Sequence, residues 1–240
     1  MQSKTQIDLL GERLKKGLRT EEDLRLLDTY RRTFHVPYDK VTRIIREELV
    51  LDPTGRPAKS TSSVIDKLMR ESIRLSQIQD IAGCRVVISN LLEQKLVVQS
   101  LKKIYPGARY VDRLKDPKYG YRAIHIIPIV DRKPIEIQVR SLLQHLWAEL
   151  SEKISDKFGK DHKYGGGNKE WLACLFLLSD IIERYEGLQS ESIATRKKLD
   201  ILNKKDNNTQ MEHCDEIDAF YDELLKTIDI INDTIDSMES

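Results

Sequence analysis

From Ile135 to Arg140 apolar and polar side chains alternate without a break, with Ile135, Ile137 and Val139 set against Glu136, Gln138 and Arg140. Successive strand side chains point to opposite faces, so this run predicts a β-strand with one core face and one polar face. Glu136 and Gln138 then stand side by side on a polar surface. Such a strand needs partners, and the middle of the chain supplies them. Arg85-Val86-Val87-Ile88 is a short apolar run, and residues 109–114 and 121–130 also read as strands. Residues 91–104 read as a helix among them.

On either side of this region the hydrophobic period is helical. Leu9, Leu10, Leu14 and Leu18, then Leu24, Leu26 and Leu27, then Val41, Ile44 and Ile45 set three helical segments within 3–50. Asp52-Pro53-Thr54-Gly55-Arg56-Pro57 breaks the pattern and reads as a loop. Helical spacing resumes over 63–74. After Arg140 it returns again, with Leu142, Leu143, Leu146, Trp147, Leu150 and Ile154 on one face. A glycine loop at 163–168, an apolar helix at 171–189, a polar stretch at 203–210 and an amphipathic helix at 212–238 complete the chain. The expectation is an α+β fold, a mixed sheet flanked by helices, with helical N- and C-terminal extensions. It divides into N-terminal helices over 1–50, a core over 51–165 and a helical extension over 166–240 that is acidic at its end.

Composition narrows the class. Of 240 residues, 40% are hydrophobic and 33% charged, enough apolar side chain for a core. No run approaches the roughly 18 apolar residues of a membrane helix, and the first residues lack an apolar signal core. The chain therefore reads as cytoplasmic, with no membrane partner. Cys84, Cys174 and Cys214 are far apart and without metal-ligand spacing, so they read as free thiols. Residues 191–240 carry 13 acidic and 6 basic side chains, and the other 190 carry 26 and 34. A basic body suits an anionic substrate. The acidic tail suits a solvated helix, a homo-oligomer contact or a partner-binding arm.

Four clusters carry chemistry. Lys59-Ser60, with Ser63 and Lys67, places two lysines about two turns apart at a helix start, a fit for phosphate. Asp80-Ile81-Ala82-Gly83-Cys84-Arg85 sets a carboxylate beside a buried strand, a position suited to Mg²⁺. Gly120-Tyr121-Arg122-Ala123-Ile124-His125 places Tyr121, Ala123 and His125 on one strand face, an aromatic ring and a histidine suited to a base. Glu136-Ile137-Gln138-Val139-Arg140, followed by Trp147-Ala148-Glu149, offers a second carboxylate that can join Asp80 around a metal. Singly, each cluster is more often a solvated face, a turn cap or a packing pair. In this order and spacing the four stand together.

That succession resembles the synthetase domain of the RelA/SpoT family, the alarmone synthetases, over roughly residues 40–165. The resemblance implies a nucleotidyltransferase-like sheet and a Mg²⁺-dependent GTP pyrophosphokinase. Such an enzyme moves pyrophosphate from ATP to the 3′-hydroxyl of GDP or GTP, making (p)ppGpp. Carried over residue by residue, it implies that Asp80 and Glu136 are the catalytic and metal-binding carboxylates. Arg56, Lys59, Ser63, Lys67 and Arg85 become ATP contacts, and Lys118, Tyr121, His125 and Gln138 acceptor contacts, with Tyr121 stacking the base. Some compact members of the family are toxins that modify the 3′-terminal adenosine of tRNA. The resemblance therefore also admits tRNA as acceptor and an antitoxin on the C-terminal helices. A non-catalytic nucleotide-binding regulator is a third alternative. No paired His-Asp hydrolase module is evident, so alarmone hydrolysis is not expected.

Overall fold

Side chains that can satisfy free backbone N–H groups decide where the first helices begin. Ser3 caps α1 (Lys4–Lys15) in a capping box with Gln6, and Thr20 caps α2 (Glu21–Arg32) through the Asp23 N–H. Asp23 is itself buried and accepts from Arg13 Nη2 at 2.6 Å, which ties α2 to α1. α3 (His35–Leu49) comes next and ends where Val50 turns left-handed, at φ 54°. Leu10 and Leu14 on α1, Leu27 on α2 and Val41 and Ile45 on α3 are buried, as their helical spacing predicts, whereas Leu9 and Leu24 are exposed. The computed structural model describes residues 3–17, 19–159, 166–201 and 208–238. Residues 163–165 of the glycine loop and 203–207 of the polar stretch lie outside the described residues.

The middle of the chain forms a six-stranded sheet. Its strands are β1 (Thr54–Arg56), β2 (Ala82–Ile88), β3 (Arg109–Asp112), β4 (Ile124–Ile127), β5 (Ile129–Val130) and β6 (Lys133–Ser141). The order is β1-β2-β6-β4-β3, with β5 paired to β6. The architecture is α+β, a mixed sheet flanked by helices, as expected. Two strand expectations need correction. The 52–57 segment is not wholly a loop, because β1 pairs antiparallel with β2, Thr54 opposite Arg85 and Arg56 opposite Gly83. Its Pro and Gly residues are compatible with an edge strand, where a missing donor costs no ladder bond. The long strand expected over 121–130 is instead two short ones, β4 and β5, interrupted at Pro128. β5 and β6 then form a tight hairpin through Asp131 and Arg132, both at positive φ.

α4 (Thr61–Arg70) is capped by Ser60 and stops at Glu71, short of the end expected at 74, and a 3₁₀ turn (Leu75–Gln77) follows. α5 (Leu91–Ile104) matches its expectation residue for residue.

The chain forms two compact units and passes between them several times. The first contains 1–86, 97–111 and 125–139, and so holds α1–α4 and most of the sheet. The second contains 87–96, 112–124 and 140–240. Its core comes from three helices, α6 (Leu142–Phe158), α7 (Lys169–Ile201) and α8 (Asn208–Ser237). Trp147 and Ile154 of α6, Leu178 and Ile182 of α7, and Leu224 and Ile228 of α8 meet there. α7 runs 12 residues past the end expected at 189. Within the described residues no helix is long and apolar enough to cross a membrane.

One glycine makes the sheet's spacing testable. A Cβ on Gly83 of β2 would lie 2.9 Å from the Glu136 carbonyl oxygen of β6, a backbone atom with little freedom to retreat. Gly83→Ala is expected to lower stability by about 1–3 kcal/mol, read as an earlier urea midpoint at unchanged slope. An unchanged midpoint would show that the two strands separate freely.

Candidate active site

In the first unit, local backbone bonds aim the two lysines. Lys59 N donates to Ile81 O at 2.6 Å, and Arg31 Nε donates to Lys59 O at 2.5 Å. Arg31 also reaches Thr61 Oγ1 at 2.9 Å, so the approach to α4 is fixed on both sides of Ser60. Ser60 Oγ accepts the Ser63 N–H and donates to Ser63 Oγ at 2.7 Å, which places Ser63 in the first turn of α4. Lys67 lies further along the same helix.

Both ammonium groups converge on Asp80. Lys59 Nζ meets Oδ2 at 2.8 Å and Lys67 Nζ meets Oδ1 at 2.9 Å, one lysine per carboxylate oxygen. Burial alone would raise the Asp80 pKa. The two lysine charges and their hydrogen bonds outweigh it and hold the carboxyl at about 2.

Glu136 is the second carboxylate, on the half-buried side of β6. His125 Nδ1 lies 2.9 Å from Oε1, and Gln138 Nε2 donates to Oε2 at 2.7 Å. Burial again pushes toward the neutral acid, joined by the Asp80 charge. The hydrogen bond and charge of His125 and the Gln138 amide win, so the pKa falls below the usual value. The Asp80 charge acts on Glu136 directly, which puts the two carboxylates within electrostatic reach of each other. His125 and Gln138 were expected on the acceptor. In this structure both hold Glu136.

The arginines assigned to ATP lie on neighbouring strands. Arg56 is exposed on edge strand β1, and Arg85 is half-buried on β2.

In the second unit a tight turn presents Tyr121. Lys118 and Tyr121 pair through their backbones, and Tyr119 and Gly120 between them have φ of 56° and 84°. Two consecutive positive φ values mark a two-residue hairpin turn. Gly120 has no room for a side chain, since a Cβ would stand 2.8 Å from Trp147 Cζ2. Lys118 is exposed. Tyr121 therefore sits on a turn ahead of β4 rather than on a strand face shared with His125, which corrects the expected grouping. Ala123 is fully buried.

Sequence reasoning gave no role to Arg140. It is buried despite the alternation that placed it on the polar face, and its Nη2 donates to the Tyr121 hydroxyl at 2.9 Å. Its guanidinium carbon lies 5.0 Å from the ring centroid. Arg122, also unassigned, is buried beside the same turn. A charged residue next to the glycine turn was the only signal.

Among the described residues no group of three or more His, Cys, Asp or Glu side chains is placed to hold a metal ion alone. Mg²⁺ commonly takes one or two carboxylates and completes its shell with water and substrate phosphate. Asp80 and Glu136, both ionised and mutually repelling, fit that donor set.

Residues 55–161 match the model of a family described as the region found in RelA / SpoT proteins. A GTP pyrophosphokinase of Bacillus subtilis is 33% identical over 129 residues, covering 46% of this chain and 61% of that protein. An uncharacterized protein of Mycobacterium tuberculosis is 35% identical over 111 residues, covering 45% of this chain and 41% of that protein. The chain thus spans about two fifths to three fifths of these relatives. In fold it is similar to small alarmone synthetase 1 from Bacillus subtilis, with a TM-score of 0.55 at 22% identity over 71% of this chain and 99% of that one.

The Asp80 pairing sets a pH dependence. A carboxyl held at about 2 in the fold and near 3.8 in the unfolded chain stabilises the fold above the higher value. That contribution is lost as pH falls through the lower one. It is worth on the order of 2 kcal/mol. In chelator, Asp80→Asn is expected to flatten the stability curve between about pH 4 and pH 2. Urea unfolding at several pH values measures this, and parallel curves for the two proteins would refute it.

Proposed function

We propose, from the match of residues 55–161 to the region found in RelA / SpoT proteins, that the protein transfers pyrophosphate from ATP to the 3′-hydroxyl of GDP or GTP. The observation that carries the reading is the pair of ionised carboxylates, Asp80 and Glu136, with two lysines converging on the first. In this reaction the 3′-oxygen attacks the β-phosphorus of ATP. The bond to the bridging oxygen breaks, and AMP leaves with the electron pair. A loose transition state asks the protein mainly for alignment and charge neutralisation.

Lys59 and Lys67 bring the positive charge that ATP phosphates require, and Ser63 in the first turn of α4 adds a hydroxyl at a helix N-terminus. Arg56 and Arg85 are assigned to the ATP side. Glu136, with Oε1 engaged by His125, receives and orients the acceptor hydroxyl. Its lowered pKa makes it a weak base, which suffices where little proton removal precedes transfer. His125 and Gln138 act on the acceptor through Glu136. Tyr121 stacks the acceptor base, and Lys118 meets its phosphates. Mg²⁺ held by Asp80 and Glu136 would neutralise phosphate charge.

ATP labelled in the γ-phosphate, offered with GDP, GTP, ATP and tRNA as separate acceptors, tests the proposal. Label is expected on the guanine nucleotides with release of AMP. Label on tRNA alone would keep the donor chemistry and replace the acceptor. Asp80→Asn and Glu136→Gln are each expected to lower kcat by about a hundredfold or more while the protein stays folded. Tyr121→Ala is expected to raise the acceptor KM about tenfold and leave the ATP KM nearly unchanged. Normal turnover by either carboxylate variant would remove the site assignment.

A further inference from the structure

The interior face of α7 is not uniformly apolar. Leu175, Leu178, Ile182 and Tyr185 build the core of the second unit, yet Ser179 and Glu186 are as buried as they are. A buried polar group is stable only with its hydrogen bonds made. A buried ion pair adds little net stability beyond a well-packed apolar pair. A polar ridge in a core helix therefore calls for an account of what it holds.

It holds the turn that carries Tyr121. Ser179 Oγ donates to the Gly120 carbonyl oxygen at 2.7 Å and accepts from Arg122 Nε at 3.1 Å. One hydroxyl thus bridges the residue before Tyr121 and the residue after it. One turn on, Glu183 accepts from Arg122 Nη2 at 2.5 Å, while Arg122 Nη1 reaches Leu114 O at 3.1 Å. The Leu175 carbonyl accepts from Trp147 Nε1 at 2.8 Å, fixing the ring against which Gly120 is packed. Further along α7, Glu186 accepts from Ser141 Oγ and from Gln144 Nε2, clamping the residue next to Arg140. Arg140 in turn holds the Tyr121 hydroxyl. Tyr121 is therefore flanked by two residues that α7 holds, Gly120 at its carbonyl and Arg122 at its guanidinium, and its phenol is bonded by an arginine whose neighbour α7 also fixes.

We propose that α7 is the positioning element of the acceptor platform, with Ser179 and Glu183 acting through Gly120 and Arg122 to set the stance of Tyr121 toward an acceptor purine. The proposal rests on the reading of Tyr121 as the stacking residue. α7 begins at Lys169, beyond the residues 55–161 that match the family model. Acceptor affinity in this chain then depends on side chains outside the residues that the family model matches.

Steady-state kinetics on the full chain test this, with each KM measured at saturation of the other substrate. Ser179→Ala is expected to raise the acceptor KM about fivefold and leave the ATP KM within about twofold. Glu183→Gln is expected to act in the same direction and more weakly. In a Tyr121→Ala background, Ser179→Ala is expected to change the acceptor KM no further, because the residue it acts through is gone. Equal rises in both KM values, or a full Ser179→Ala penalty without Tyr121, would overturn the proposal and leave Tyr121 its role. An unchanged acceptor KM in Tyr121→Ala, or no transfer by the unaltered protein, would overturn the stacking reading and this proposal with it. Thermal melts establish that each variant is folded at the assay temperature. Glu183, whose side chain is 56% exposed, keeps the test readable if Ser179→Ala does not fold.

Discussion

A carboxylate taken out of water must have its charge answered, and each of three buried or half-buried carboxylates here is answered differently. Asp80 receives two full positive charges and is driven to about 2. Glu136 receives a histidine nitrogen and an amide, and its pKa falls against burial and the nearby Asp80 charge. Glu186 receives a serine hydroxyl and an amide, with Arg122 only as a more distant charge, and burial wins, so its pKa rises. The same functional group is thus held as an anion by full charges, held as an anion by hydrogen bonds, or pushed toward its neutral form, according to its partners.

The lysine pairing also answers the Asp80 charge from within the protein. Lys59 and Lys67 neutralise Asp80 at a distance where neither charge is exposed to much solvent. A polyphosphate offers the same ammonium groups more negative charge than one carboxylate does. A divalent cation offers Asp80 more positive charge than one lysine does. On the proposed reading, exchange of partners is favourable only when both arrive. On that reading the two Asp80 ion pairs have the same charge types, with opposite components, as the contacts of lysine with phosphate and of Asp80 with a cation.

Much of the fold was legible because its period was clean. The alternation over 135–140 located β6, and α5 was found to the residue, since neither run contains a competing signal. β1 was missed because Pro53, Gly55 and Pro57 mark turns, and only pairing with β2 makes Thr54, Gly55 and Arg56 between the prolines a strand. Tyr121 was placed on a strand because Tyr-Arg-Ala-Ile-His has the right alternation, whereas Gly120 and the positive φ of Tyr119 end the chain's extension first. In the site, residue types were readable and pairings were not. Nothing in a sequence says that His125 turns to Glu136, or that Lys59 and Lys67 each take one oxygen of Asp80, because such contacts span 11 to 21 residues and are set by how strands and helices meet.

Arg140 shows where period reasoning fails for a physical reason. Alternation assigns a face, and a face is polar only if nothing covers it. Near the end of β6 the burial pattern changes, and Val139, Arg140 and Ser141 are all buried in succession. The chain passes there directly into α6, whose cap is Ser141, and Ser141 is held by Glu186 of α7. A residue 45 positions further along the chain thus bonds the end of the strand where it is buried. The arginine tolerates this because the Tyr121 hydroxyl and ring accept its guanidinium, and that same acceptance restrains the tyrosine. Burial of the arginine and orientation of the ring are therefore one interaction seen from two sides.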